Sequence, residues 1–181
     1  LTAQIDDRLQ VVPDLAVRFD SADQQTYVAE IPPGVRFHDG REMTSADITF
    51  TFRRFLDPAF QSGRKGAYRE LASVDAVDRY RVAFRLRQPS ASFPINLVMG
   101  IVPEGTGSEA ARAPIGSGPY LLREFVPDDH VTVAPFADHY RGRPANDGFV
   151  FKVVPDDTMR GLELRHGGVD LVINDVPPDL V

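Results

Sequence analysis

Apolar positions alternate first with the period of a strand and then with that of a helix. Thr26-Tyr-Val-Ala-Glu-Ile31 puts Tyr27, Ala29 and Ile31 on one face, which predicts a half-buried strand. Pro32-Pro33-Gly34 stops it, with Pro33 suited to the negative φ and Gly34 to the positive φ of a type II turn. Val35-Arg36-Phe37 is expected to return as a short strand before His38-Asp39-Gly40 turns the chain again. From Thr44 to Asp57 two periods compete. Ile48, Phe50 and Phe52 alternate, and Thr49 and Thr51 are β-branched, as a strand prefers. Helix is nevertheless the expectation. Thr44 with Asp47 three residues on makes an N-terminal cap, Ile48, Phe52, Phe55 and Leu56 form a stripe at helical spacing, and Pro58 blocks continuation.

Ser73 to Leu86 reads as a hairpin turning at Asp78-Arg79. Tyr80, Val82, Phe84 and Leu86 face the core, and Arg81, Arg85 and Arg87 face water. Phe93 to Met99 is expected to be a short helix between Ser92 and Gly100. The small, polar run Gly105 to Ala113 is the expected domain junction. Beyond it, Tyr120 to Val126 and His130 to Ala134 predict an antiparallel pair around Pro127-Asp128-Asp129. Phe149 to Val154 and Val169 to Ile173 are almost continuously apolar, the pattern of strands covered on both faces. Between them, Asp156 to His166 predicts a helix capped by Asp156 or Asp157, with Met159 and Leu162 inward and Gly167 ending it. Strand, helix, strand implies one right-handed βαβ crossover.

Composition narrows the chemistry. The 181 residues are 43% hydrophobic, enough for a packed core, and carry a formal charge of -6, which argues against a nucleic-acid partner. Cysteine is absent, so disulfides, thiolate nucleophiles and Cys-ligated zinc are excluded. No apolar run approaches the roughly 20 residues of a membrane span. His38, His130, His139 and His166 lack the spacing of a helical metal site, so no metal and no cofactor is expected. Gly116-Ser117-Gly118 is neither a nucleophile elbow nor a phosphate loop, because Ser117 has glycine directly on both sides and no lysine follows. Its glycines are read as permitting unusual φ and close backbone approach. The carboxylate pairs Asp6-Asp7, Asp128-Asp129 and Asp156-Asp157 are adjacent in sequence and do not converge, so they read as turn and cap residues. Phe37 and Tyr120 are candidates for stacking on a ligand. No catalytic residue is identified.

Several segments in order carry a resemblance. They are Val12-Pro-Asp-Leu-Ala16, Gly34-Val-Arg-Phe-His-Asp-Gly40, Met43-Thr-Ser-Ala-Asp-Ile48, Pro114-Ile-Gly-Ser-Gly-Pro-Tyr120, Asp138-His-Tyr-Arg-Gly142, Val154-Pro-Asp156 and Gly168-Val-Asp170. Together they resemble the extracellular solute-binding proteins of ABC importers, in the peptide/nickel-type family 5, with Arg141 where that family usually has tryptophan.

The resemblance implies a mixed α/β (α+β) fold of the type II periplasmic-binding-protein kind, here a fragment lacking the second lobe. Residues 1–105 would form a β-rich subdomain with short helices, and residues 106–181 part of the α/β domain of lobe I. It implies a receptor that is not an enzyme, a peptide or similar solute as ligand and an ABC permease as membrane partner. The intact parent is expected to be periplasmic or otherwise extracytoplasmic, with or without a lipid anchor. Dimerisation through exposed surface is a further expectation for the fragment. The residues expected to border the solute lie at crossings between domains: Met99, Gly100, Ile101 and Val102, with Asn174 and Asp175. The alternative is a ligand-sensing module of a regulator with the same architecture. A hydrolase is the weakest reading, since no nucleophile–base motif is visible.

Overall fold

A computed structural model describes residues 3–5 and 11–173, in which nine strands and two α-helices are assigned. In chain order they are β1 (Ala3–Ile5), β2 (Val11–Pro13), β3 (Arg18–Asp20), β4 (Thr26–Glu30), α1 (Ser45–Arg53), β5 (Leu71–Ala76), β6 (Arg81–Leu86), β7 (Tyr120–Val126), β8 (His130–Pro135), β9 (Phe149–Lys152) and α2 (Asp157–Arg165). Two compact units result. The first spans Leu1–Pro119 with Phe136–Arg143, and the second spans Tyr120–Pro135 with Pro144–Val181. The boundary therefore falls at Pro119, and the Gly105–Ala113 run lies inside the first unit, where Ser108–Ala111 forms a single 3₁₀ turn.

The first unit is built on an antiparallel sheet in the order β3-β4-β6-β5, beside a two-stranded β1-β2 ribbon. Cross-strand pairs Tyr27–Phe84, Ala29–Val82 and Val74–Phe84 put the apolar side chains on one face. The expected alternation therefore holds, and Tyr27, Ala29, Ile31, Val82, Phe84 and Leu86 are buried. A bulge between Leu71 and Ser73 lets Leu71 pair with Leu86. The extra residue turns both Leu71 and Val74 inward while Ala72 stays exposed. On the outer face Arg81 meets Asp78 at 2.6 Å and Arg85 meets Asp75 at 2.7 Å. The arginine row is thus a solvated, paired surface.

Helix α1 covers the apolar face. Ile48 and Phe52 are fully buried, and the Phe52 ring meets Phe84 at 5.0 Å nearly at right angles. The strand-like alternation at Phe50 loses to this stripe, because only helical spacing aims Ile48 and Phe52 at the sheet together. Phe55 and Leu56 also pack on the core, but from a 3₁₀ turn at Arg54–Leu56. Phe93–Leu97 is likewise 3₁₀, with Pro94 in its first turn. Two core tyrosines donate to backbone carbonyls, Tyr27 to Ser90 at 2.7 Å and Tyr68 to Asn96 at 2.6 Å. Their rings can therefore be buried without stranding a hydroxyl.

The expected strand at Val35–Phe37 is a single bridge, Arg36 to Glu42. Phe37 N–H donates to Arg41 at 2.9 Å, so the loop closes too tightly for a ladder. Gly34 has φ +83, as the turn requires. Glu42 pins this loop from outside the core. Its carboxylate accepts from Arg79 at 2.7 Å, from Gly34 N–H at 2.9 Å and from the Tyr80 hydroxyl at 3.0 Å. These bonds, Arg79 first, lower the Glu42 pKa from 4.5 to about 2.

Two clasps join the segments singled out in the sequence. His38 N–H donates to Gly116 O at 2.8 Å, and the His38 ring binds the same loop twice. Gly116 N–H donates to Nδ1 at 3.3 Å, and Nε2 lies 3.0 Å from Gly118 O, an arrangement that fits the neutral tautomer protonated at Nε2. Neither Gly116 nor Gly118 has positive φ, and a Cβ would meet nothing at Gly118 and only the His38 ring at 3.7 Å at Gly116, so neither the unusual backbone angle nor the close approach expected of these glycines is found. The His38 ring also stands edge-on to buried Phe136 at 5.1 Å. In the second clasp, Arg141 pairs with Asp14 at 2.6 Å and the Tyr140 hydroxyl donates to the same carboxylate at 3.3 Å.

The second unit is an antiparallel meander, β7-β8-β9, followed by α2. The β7–β8 pair forms as expected around a turn in which Asp128 has φ +61. Gly148 introduces β9 with φ +123, and a Cβ there would lie 2.1 Å from Val133 O, so only glycine fits. Helix α2 is capped by Asp156, whose carboxylate accepts from Met159 N–H at 2.8 Å, and Gly167 follows its end with φ +72.

Three expectations fail here. The βαβ crossover is not seen among the described residues, where 169–173 have no strand and β9 pairs with β8 alone, antiparallel. Strand β9 is not covered on both faces: Phe149, Val150 and Phe151 are 45%, 65% and 53% exposed, and Leu171 and Ile173 are more so. Met159 faces outward, half exposed. A continuous apolar run states a need for cover on both faces and for a partner strand, and among the described residues β9 stays exposed and no further strand pairs with its free edge.

Phe84→Ala is expected to cost about 3–5 kcal/mol in urea unfolding, because it removes the ring at which the sheet, α1 and Phe93 meet. His38→Ala leaves Gly116 N–H and Gly118 C=O without their partner and is expected to cost about 1–3 kcal/mol in the same assay. The folded pKa of Glu42 lies below its unfolded value, so its contribution is complete above pH 4.5 and is lost as pH falls toward about 2. Glu42→Gln is therefore expected to flatten the fall in melting temperature across that window while lowering the plateau above it. An unchanged acid slope in the variant would show that other carboxylates carry it.

Candidate solute-facing strap

Residues 98–104 cross the first unit without regular secondary structure, and they include four of the six residues expected to border a ligand. Ile101 is buried in the core, and Met99 packs partly against it. Gly100 is exposed and Val102 is half-buried. The segment therefore lies as a strap, pinned by Ile101 with Val98 and Met99 packed partly on the same core, and open at Gly100. Asn174 and Asp175, the other two candidates, lie outside the described residues.

A segment without a ladder must find other partners for its peptide groups. Here side chains provide them. Arg64 donates to Val98 O at 3.2 Å. The Thr51 hydroxyl accepts from Val102 N–H at 3.1 Å and lies 3.3 Å from Val102 O as donor. Asp47 accepts from Glu104 N–H at 2.8 Å. The other Asp47 oxygen accepts Thr44 N–H at 2.8 Å and the Thr44 hydroxyl at 3.1 Å, which is the cap expected at the start of α1. Among the described residues, the peptide groups of Gly100 have no hydrogen-bond partner. Asp47 and Thr51 are one helical turn apart and both are small and polar, but Ser45 and Thr49 on the same helix share that character, so the sequence does not single them out.

Two depressions flank the strap's end at Glu104. The larger is an open groove of about 580 Å³ along α1, lined by Thr49, Phe50, Arg53, Arg54, Asp75 and Glu104. Arg54 stacks there on Phe50 and Phe60, with its guanidinium carbon 4.7 Å from the Phe60 ring centre. The Thr49 hydroxyl is buried and has no hydrogen-bond partner among the described residues. The smaller depression, about 200 Å³, lies between Arg41, Glu104, Thr106 and Ile115.

The remaining candidates sit elsewhere. Phe37 is fully buried and cannot stack on a ligand. Tyr120, in the second unit, donates to Asn146 at 2.7 Å and packs its ring on Phe149. His130 stands between Asp129 at 2.8 Å and Glu124 at 3.3 Å, and these carboxylates, Asp129 first, raise its pKa. Burial lowers that of His139, whose Nδ1 lies 3.3 Å from Gly142 O. Among the described residues no three His, Asp or Glu side chains gather closely enough to hold a metal ion.

Comparison with known proteins places the chain. The model of the bacterial extracellular solute-binding proteins, family 5 Middle, matches residues 10–181. The oligopeptide-binding protein AppA of Bacillus subtilis is 30% identical, over 91% of this chain and 33% of its own length. Di/tripeptide-binding protein 4 of Pseudomonas aeruginosa is 29% identical, over 94% of this chain and 38% of its own. The structure of B. subtilis AppA in complex with a nonapeptide superposes on 93% of this chain with a TM-score of 0.89 at 28% identity. The ABC transporter substrate-binding protein CtaP of Listeria monocytogenes superposes on 87% of it, with a TM-score of 0.78 at 30% identity. The chain thus spans about a third of the length of the relatives it matches. Its mixed sheets and short helices are the periplasmic-binding-protein-like fold expected from the motifs, and the chain belongs to the bacterial extracellular solute-binding proteins of family 5.

Proposed function

We propose that these residues supply one wall of the solute site in an ABC-type importer's receptor for peptides or similar solutes. The observation that carries this is the superposition of 93% of the chain on a family structure that holds a nonapeptide. The named relatives support the ligand class, since oligopeptide-, di/tripeptide- and glutathione-binding proteins all carry peptide-type ligands in their names. A receptor of this kind works outside the cytoplasmic membrane and hands its solute to a permease. It grips and releases without making or breaking bonds in the solute.

The strap at Met99–Val102 is the proposed ligand border, together with Asn174 and Asp175. An exposed glycine next to a buried isoleucine lets a solute's backbone approach closely while the strap itself stays anchored. Binding by closure of two walls draws its buried area from both of them. One wall alone is therefore expected to bind weakly.

Titrating the isotopically labelled 181-residue chain with trialanine and with a nonapeptide tests this. Fast-exchange amide shifts at residues 99–102 and 174–175 are expected, with a dissociation constant weaker than about 1 μM. Shifts confined to other segments would move the ligand border away from the strap. Binding tighter than that limit would show that this wall needs no second one.

A further inference from the structure

Resting on the reading that the strap borders the solute, we infer that Thr51 is a positioning residue that holds the strap in its binding geometry. It stands on α1, where a threonine hydroxyl ordinarily bonds the carbonyl four residues back. Here the same oxygen serves both peptide groups of Val102, accepting from N–H at 3.1 Å and donating to C=O at 3.3 Å. Thr51 is only 6% exposed, so water does not compete for either bond. Asp47, one turn earlier on the same helix face, takes Glu104 N–H at 2.8 Å. Two consecutive turns of α1 thus fix residues 102 and 104, while Ile101 anchors the strap from within.

What remains is a short arc at Met99–Gly100. Its conformation is set from both ends, since Arg64 holds Val98 O at 3.2 Å and lies 3.9 Å from Met99 Sδ. The arc is presented ready-made, so a ligand meeting it has less backbone freedom to quench. Thr51 touches no ligand in this arrangement and acts wholly through Val102.

The test is residue-resolved amide exchange on the 181-residue chain, with Thr51→Val, Thr51→Ser and a trialanine titration. In the unmutated chain, Val102 and Glu104 amides are expected to exchange at least about tenfold more slowly than that of Gly100. Exchange of Val102 as fast as Gly100 overturns the proposal with no variant needed. Thr51→Val is expected to speed Val102 exchange about tenfold and to weaken trialanine shifts at 99–102 by a similar factor, with Thr51→Ser restoring both. Should exchange respond but trialanine affinity stay the same, Thr51 is a structural residue only and the inference fails. Should trialanine leave residues 99–102 unshifted in the unmutated chain, the ligand border itself is misplaced, and the exchange data still decide whether Thr51 holds the strap.

Discussion

Helix α1 does two jobs with two stripes of side chains, and the first unit is arranged around that division. Ile48 and Phe52 point into the sheet and are fully buried. Asp47 and Thr51, each one position earlier, point at the strap and bond its peptide groups. Consecutive residues on a helix lie about 100° apart, so the polar stripe cannot turn without turning the apolar one. The core therefore sets the strap's position. Burial of Phe52 against Phe84 supplies the energy, and the hydrogen bonds from Asp47 and Thr51 convert it into a defined backbone path.

The same economy explains the segments that carry the resemblance. Four of the seven pair in space. The loop at His38 is bound to the loop at Gly116–Gly118, and the Asp14 region is bound to Tyr140 and Arg141. A ring nitrogen, a carboxylate and a phenol each satisfy groups that would otherwise be stranded where the chain returns to the sheet. Arg141 forms an ion pair with Asp14 and lies over the Tyr140 ring. These motifs were the plainest marks of family in the sequence, and their physical role in this unit is closure of the fold.

Where local chemistry decided the outcome, the sequence was readable. Thr44 with Asp47 marks the start of α1, Tyr27 to Ile31 and Val82 to Leu86 alternate as half-buried strands, and Asp156 with Gly167 brackets α2. Where the outcome depended on a neighbour, the pattern misled. The run at Phe149–Val154 has the composition of a strand with two covered faces, but covering is a property of what packs on it. Val169–Ile173 has strand composition and no strand, because pairing needs an edge in register as well as β-branched residues. The strap was visible as a crossing, while its attachment was not. Asp47 and Thr51 bond partners that lie more than fifty residues away, at Val102 and Glu104, beyond the reach of any local pattern.

A strap held by side chains differs in kind from one held by a ladder. A ladder uses the peptide groups of both strands and leaves few for a ligand. Side-chain hydroxyl, carboxylate and guanidinium groups reach in from α1 and from Arg64, satisfy Val98, Val102 and Glu104, and leave Gly100 untouched between them. The strap can thus be rigid without being used up. If the solute is a peptide, as proposed, an ordered stretch of open backbone is worth more than a particular side chain, because every peptide carries the complementary groups. The groove beside Glu104, with its Arg53–Asp75 ion pair and its arginine over aromatic rings, has no such generality. That contrast is what favours the strap over the groove along α1 in the proposed reading.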